Sequence, residues 1–166
     1  MTVIINGSNT PTAGAVAVGD GTTLAFTAAG SANQLLQSNG SSAPSFTSTL
    51  NTIGLTNPTV TNYTETPFSA NSSTAITLAL TNGTVQIITL TGNATITMPT
   101  AVSGKSFIMF LKQDATGSRT VTWSTVKWAG GTAPTITSTA SRQDIYSFFS
   151  DGTNWYGVTV GQNYIP

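Results

Sequence analysis

Ser103-Gly104-Lys105-Ser106 is the segment of this chain that most nearly spells a reactive motif. It ends like a phosphate-binding loop, in which backbone N–H groups cradle an anion and the lysine neutralises it. The full pattern needs a second glycine five positions before Gly104, where Pro99 stands instead. A helix N-terminus must also follow, yet the next residues are the apolar run Phe107–Leu111, which has strand composition. The segment therefore reads as a turn with a lysine beside it. The carboxylates are Asp20, Glu65, Asp114, Asp144 and Asp151. Glycoside cleavage needs two of them held roughly 5–10 Å apart. Asp20, Asp114 and Asp151 lie in glycine-bearing turns, where aspartate is expected on backbone grounds alone. Asp144 lies two residues from Arg142 on one strand face, and a structural ion pair accounts for both. No loop is rich enough in aspartate to form a calcium site of the usual kind. The chain has no His and no Cys, which removes Ser-His and Cys-His nucleophiles, ordinary zinc sites and disulfides. The expectation is a protein without catalytic residues, metal or cofactor.

Aromatic side chains are the remaining candidates for recognition. Trp123, Trp128, Trp155 and Tyr156, with Tyr146 and Tyr164, could form a stacking platform for a sugar or a surface for a partner. The same residues serve equally as core, where they bury large area and keep a polar handle. Alternation groups Trp123 with Val121, and Trp155 with Gly157 and Thr159, which leaves room for one of the two indoles to face outward.

Composition narrows the partners. The 166 residues include 33 Thr and 18 Ser, while charged residues make up only 6%, five basic and five acidic. A soluble domain ordinarily carries about 25% charge. A nucleic-acid binder needs a basic stripe that this chain cannot build. No basic residue precedes Lys105. The longest apolar run, Phe107–Leu111, is far too short for a helix across a bilayer. Neither nucleic acid nor membrane insertion is expected. A chain so poor in charge also lacks the lysines that commonly guard strand edges, so pairing with other chains is the simplest protection.

The elements that must position these residues are strands. No dozen-residue stretch shows a 3.6-residue period; Gln34-Leu35-Leu36-Gln37 is the one expected helical turn. Apolar alternation marks residues 76–80, 85–90 and 94–98, separated by Asn82-Gly83 and by Thr91-Gly92-Asn93. Asn-Gly between alternating runs is a strong hairpin signal. Residues 105–112 are apolar on both faces, which implies a central strand covered on both sides. Further strands follow at 119–123, 143–149 and 154–160. About eight short strands with turn signals every 8–12 residues imply an all-β fold, an antiparallel β-sandwich of jelly-roll type.

Residues 1–58 differ. Large apolar side chains such as Val3, Ile4, Ile5, Val16, Val18, Phe26 and Phe46 are scattered between glycine and Ser/Thr clusters. With about 1.5 kcal/mol to find for each ordered residue, so dispersed a set does not support a core of its own. The expected organisation is an extended anchoring and intertwining arm over 1–58 and a β-sandwich over 59–166, associated as a homotrimer.

Two stretches carry a family resemblance. Gly14-Ala-Val-Ala-Val-Gly-Asp-Gly-Thr-Thr, continuing through Thr27-Ala-Ala-Gly and Gln34-Leu-Leu-Gln-Ser-Asn-Gly to Ala43-Pro-Ser-Phe46, resembles a linker repeat of tailed-bacteriophage tail fibres. Tyr63-Thr-Glu-Thr, Thr97-Met-Pro-Thr100, Trp123–Pro134 and Asp151-Gly-Thr-Asn-Trp-Tyr-Gly157 are similar, in their order, to a β-sandwich module at the ends of phage fibres and spikes. The resemblance implies a virion-surface protein made in the host cytoplasm, usually trimeric, with no chemistry of its own. Its partners would be further copies, tail or capsid proteins, and a host-surface glycan or protein. Tail fibres commonly run to several hundred residues and carry a dedicated attachment domain. Fibre-like sequence here starts almost at Met1, and no coiled-coil heptads are present. A head fibre or capsid decoration protein is thus the alternative to a tail-fibre host-attachment component. A free carbohydrate-binding module is the third, and it would need no apolar arm.

Overall fold

The computed structural model describes residues 13–19, 24–50, 54 and 56–166. The chain forms two compact units, Met1–Thr59 and Val60–Pro166. In the first, β1 (Ala17–Gly19) pairs antiparallel with β2 (Leu24–Phe26), and β3 (Leu35–Asn39) with β4 (Ser42–Thr47). The helical turn expected at Gln34–Gln37 is not formed, because Leu35 already begins β3. The Ser31–Gln34 turn closes just before it: Ser31 N donates to Gln34 Oε1 at 2.7 Å, and Asn33 takes φ 66°. Gly40, at φ 67°, then reverses the chain so that Leu36 faces Phe46. Gly30 is obligatory for a different reason, since a Cβ there would lie 2.6 Å from the Phe46 ring.

The second unit winds between two sheets. β5 (Pro67–Ser72), β7 (Val85–Leu90) and β9 (Ser106–Gln113) stand side by side and parallel. The chain between them crosses to a second sheet of β6 (Ala75–Thr77), β8 (Ala94–Thr97) and β10 (Val121–Ser124), also parallel. Pro67 lies beside Val85 and Val85 beside Ile108, so successive turns of this coil take 18 and 23 residues. After β10 the chain returns to the larger sheet through β11 (Val126–Trp128), β12 (Gln143–Ser150) and β13 (Trp155–Tyr164). The six-stranded order is β11-β13-β12-β9-β7-β5.

The expected antiparallel jelly-roll sandwich is therefore corrected to mixed sheets with parallel strands. Only β9–β12 and β12–β13 pair antiparallel in this unit. Parallel neighbours need a long crossover, and here the crossover is a strand of the opposite sheet. The Asn82-Gly83 signal marks a corner, since β6 and β7 lie in different sheets. Gly83 has φ 132°, and a Cβ on it would sit 2.3 Å from the Thr66 carbonyl oxygen. At the next corner, Gly92 lies as close to the Ser73 carbonyl. Each glycine lets one turn of the coil stack directly on the backbone of the turn before it.

Alternation then fills one core between the sheets. Ile88, Leu90, Phe107, Met109, Leu111, Tyr146, Phe148 and Trp155 meet Ala94 and Ile96 from the smaller sheet. Burying each of the large members is worth about 1.5–3 kcal/mol.

Candidate functional site

The predicted aromatic residues divide between core and surface. Trp155 is 2% exposed, and its Nε1 donates to the Pro99 carbonyl at 2.7 Å. Trp123 and Trp128 are half-buried and lie edge-on to each other at 5.2 Å, packed against Tyr146 and Phe148. Both Trp123 and Trp155 thus turn towards the core, and the outward indole that alternation allowed is not found. Trp128 depends on Gly157, where a Cβ would meet its ring at 2.6 Å. Tyr156 alone of the four turns to the other side of the sheet, stacked on Phe149 with ring centres 5.6 Å apart. Of the predicted arm residues, Val16, Val18, Phe26 and Phe46 are half-buried in the first unit, while Val3, Ile4 and Ile5 lie outside the described residues.

The carboxylates are structural fasteners. Asp144 is 1% exposed and faces no cation. Its Oδ2 accepts from Thr137 N (2.7 Å), Tyr146 Oη (3.1 Å) and Gln162 Nε2 (3.1 Å), and its Oδ1 from Asn163 N (2.9 Å). Burial pushes this carboxyl up, but the bonds from Thr137, Asn163 and Gln162 outweigh it and hold the group below its ordinary range. Burial and the neighbouring carboxylate drive the Tyr146 phenol far above its own. The Asp144–Arg142 ion pair expected from their spacing is not formed. Successive side chains on a strand point to opposite faces and alternate ones share a face, but Asp144 turns into the core, where only N–H and O–H donors reach it. Among the described residues the ion pair is Arg119–Asp114, at 2.8 Å. The hydrogen bond from Arg119, helped by Gly117 and Thr116 N–H groups, holds Asp114 below its usual range. Asp151 caps its turn by accepting from Asn154 N and Thr153 N, and also from Tyr156 Oη; these bonds bring it down to about 2. Among the described residues no three carboxylates cluster as a metal site would require. Gly104 and Lys105 form a turn feeding β9, with Gly104 N bonded to the Ser150 carbonyl. No helix N-terminus stands there to receive a phosphate.

The feature that remains is the outer face of the six-stranded sheet. Pairing brings Ile87, Phe110 and Ile145 into one row, and Val85, Ile108, Ser147 and Val158 into the next. Phe149 and Tyr156 continue the face towards the 151–154 turn, with Lys127 beside Tyr156. Ile108 is 43% exposed, Phe149 50% and Val158 49%. Glu65, which accepts from Thr84 Oγ1, borders the same face with Val85, Ser106, Ile108 and Ser147. A sheet with one solvated face ordinarily shows polar residues there; here an apolar band through Val85, Ile87, Ile108, Phe110, Ile145 and Val158 crosses a face that also carries Ser69, Asn71, Thr89, Lys112 and Gln143. The double apolarity of residues 105–112 was visible in the sequence. Its extension across Ile87, Ile145 and Val158 was not, because it depends on which strands are neighbours.

Residues 75–155, from β6 to the first residue of β13, match the family model described as "Putative phage tail fibre C-terminal domain". No curated protein and no solved structure matches the chain.

Proposed function

We propose that the chain is a non-enzymatic structural protein of the tailed-bacteriophage virion: a short homotrimeric fibre displayed on the particle surface and serving host attachment. The family match over residues 75–155 carries this reading, because it covers most of the coil and its core. The structure is consistent with a mechanical role. Stacked turns with glycine corners, an anion locked by four hydrogen bonds and a packed aromatic cluster make a stiff unit. In this reading residues 1–58 anchor the protein to tail components and interlace with further copies. Residues 59–166 form the exposed head. Threefold repetition converts a weak contact with a host-surface glycan or protein into a durable one through high local concentration. Nucleic acid, membrane insertion and a cofactor have no part in it.

The test is competition for adsorption. Purified full-length protein, added to host cells before phage, is expected to lower the rate of phage adsorption in proportion to its occupancy of the cells. Protein that neither binds the cells nor slows adsorption removes the attachment role.

A further inference from the structure

We propose that Asn39 is a site of spontaneous covalent modification: in the folded protein Asn39-Gly40 loses ammonia and converts to aspartyl and isoaspartyl forms, while Asn82-Gly83 is locked against the same reaction. The chemistry needs only the two residues and water. The Gly40 amide nitrogen, giving up its proton to solvent base, attacks Asn39 Cγ. The new N–C bond forms as the Cγ–Nδ2 bond breaks, and Nδ2 takes up protons and leaves as ammonia. Water then opens the five-membered imide at either carbonyl. One opening leaves an aspartate; the other routes the main chain through Cβ. Nothing is oxidised or reduced. Glycine favours the step because it adds no Cβ and lets the backbone turn freely. Two conditions remain for the fold to set: the glycine N–H must be free of an acceptor, and the dipeptide must be able to turn until that nitrogen meets Cγ.

The two dipeptides meet these conditions in opposite ways. Asn39 ends β3 and Gly40 makes the turn towards β4, and both are exposed. A Cβ on Gly40 would meet nothing within 4 Å, and among the described residues its N–H has no acceptor. The Asn39 side chain is held only through Nδ2, which donates to the Ala43 carbonyl at 2.8 Å and to Ser45 Oγ at 3.1 Å. Both bonds are open to water, which replaces them at little cost. β3 and β4 also form a sheet of two strands, a marginal arrangement whose turn opens readily. The corner between β6 and β7 is clamped instead. Asn82 N donates to the Ala79 carbonyl and Gly83 N to the Leu80 carbonyl, each at 3.2 Å. The Gly83 carbonyl accepts from Nε2 of the wholly buried Gln86. Gly83 is also seated on the Thr66 carbonyl, and the attack geometry would require leaving all three partners together. Asn6-Gly7 lies outside the described residues. Conversion at Asn39 has a consequence for its unit. Asp20 is the single charged side chain in residues 1–59, so a second carboxylate doubles that charge. The isoaspartyl form also lengthens the main chain where Asn39 pairs with Ser42.

The experiment incubates the full chain at mildly alkaline pH, folded and in guanidinium chloride, and maps it by mass spectrometry after chymotrypsin. Cleavage after Leu36, Phe46, Leu80 and Leu90 isolates residues 37–46 and 81–90, each with one Asn-Gly. Conversion replaces NH2 by OH, which the peptide mass registers, and electron-transfer fragmentation separates the isoaspartyl from the aspartyl form. In the folded chain residues 37–46 should convert at least tenfold faster than 81–90, a barrier difference of about 1.4 kcal/mol or more. In guanidinium chloride the two rates should become nearly equal, since both are then Asn-Gly in an open chain. Asn39→Gln should abolish the conversion of 37–46 and leave 81–90 unchanged. Equal rates in the folded chain, a faster 81–90, or a 37–46 peptide that converts only in denaturant would each overturn the proposal. A tenfold difference that persisted in denaturant would trace the selectivity to sequence and overturn its assignment to the fold.

Discussion

Replacing Asp144 by Asn removes one charge at a fixed volume, and the geometry states what that should do. Three donors converge on Oδ2, and one, Asn163 N, on Oδ1. The amide serves the larger group by keeping its oxygen at Oδ2. Its NH2 then faces the Asn163 N–H, donor against donor. An unsatisfied buried donor costs about 1–3 kcal/mol, and the three remaining bonds lose their charge assistance. A total loss of about 2–4 kcal/mol follows, which in a unit of this size lowers the thermal midpoint by on the order of 10–20 °C. The acid limb supplies a second readout. The folded carboxyl titrates below its unfolded value of about 3.9. Its stabilisation is therefore complete above that pH and is lost as pH falls through the folded value. The variant should show a shallower loss of stability below about pH 4, although Asp114 and Asp151, also lowered, keep part of the slope. Urea melts monitored by circular dichroism at pH 7 and at a series of acid pH values measure both effects. A variant within half a kcal/mol of wild type (about a twofold change in the unfolding constant), with an unchanged acid limb, would refute the account of this carboxylate as the fastener of the Thr137, Tyr146 and Asn163 segments.

Three further substitutions probe the fold. Gly83→Ala places a Cβ against the Thr66 carbonyl at a φ that L-residues avoid, so a loss of at least about 2 kcal/mol in urea melts is expected; a neutral result would contradict the stacked corner. Gly157→Ala drives a methyl into the Trp128 ring, with an expected cost of about 1–3 kcal/mol and a changed near-ultraviolet tryptophan spectrum. An unaltered spectrum would mean that Trp128 does not lie over Gly157. Trp155→Phe removes the indole N–H bound to the Pro99 carbonyl inside the core, and should destabilise by about 1–3 kcal/mol.

Much of the strand content was legible in the chain, and its connectivity was not. Period-two alternation over residues 85–90 marks a strand with one face buried, and Ile88 and Leu90 are indeed core. Residues 105–112, apolar on both faces, form the expected central strand, but only Phe107, Met109 and Leu111 are core, while Ile108 on the other side is 43% exposed, so the cover expected on both sides is found on one. Alternation is identical in parallel and antiparallel pairs, so it is silent about which strands are neighbours. Asn82-Gly83 and Thr91-Gly92-Asn93 have hairpin composition, yet their glycines answer to the backbone of the preceding turn, Thr66 and Ser73, which is about 18 residues away. Spacing alone also misassigned Asp144. The residues that hold it, Thr137, Gln162 and Asn163, come from a loop and from the far end of β13, and no local pattern marks them. At Leu35-Leu36 a short apolar pair carries no period, and the turn on Asn33 decided for a strand. The outer face was half legible: Phe107–Leu111 shows its apolarity on both sides, while the rows through Ile87, Ile145 and Val158 exist only once the sheet order is known.

A map of the purified phage particle, with the chain located by a bound antibody fragment, tests most directly whether this is a virion fibre. The account predicts threefold density at the tail, three chains to each protrusion, with the Val60–Pro166 units pointing into solvent. Purified infectious particles that contain none of this protein would contradict it.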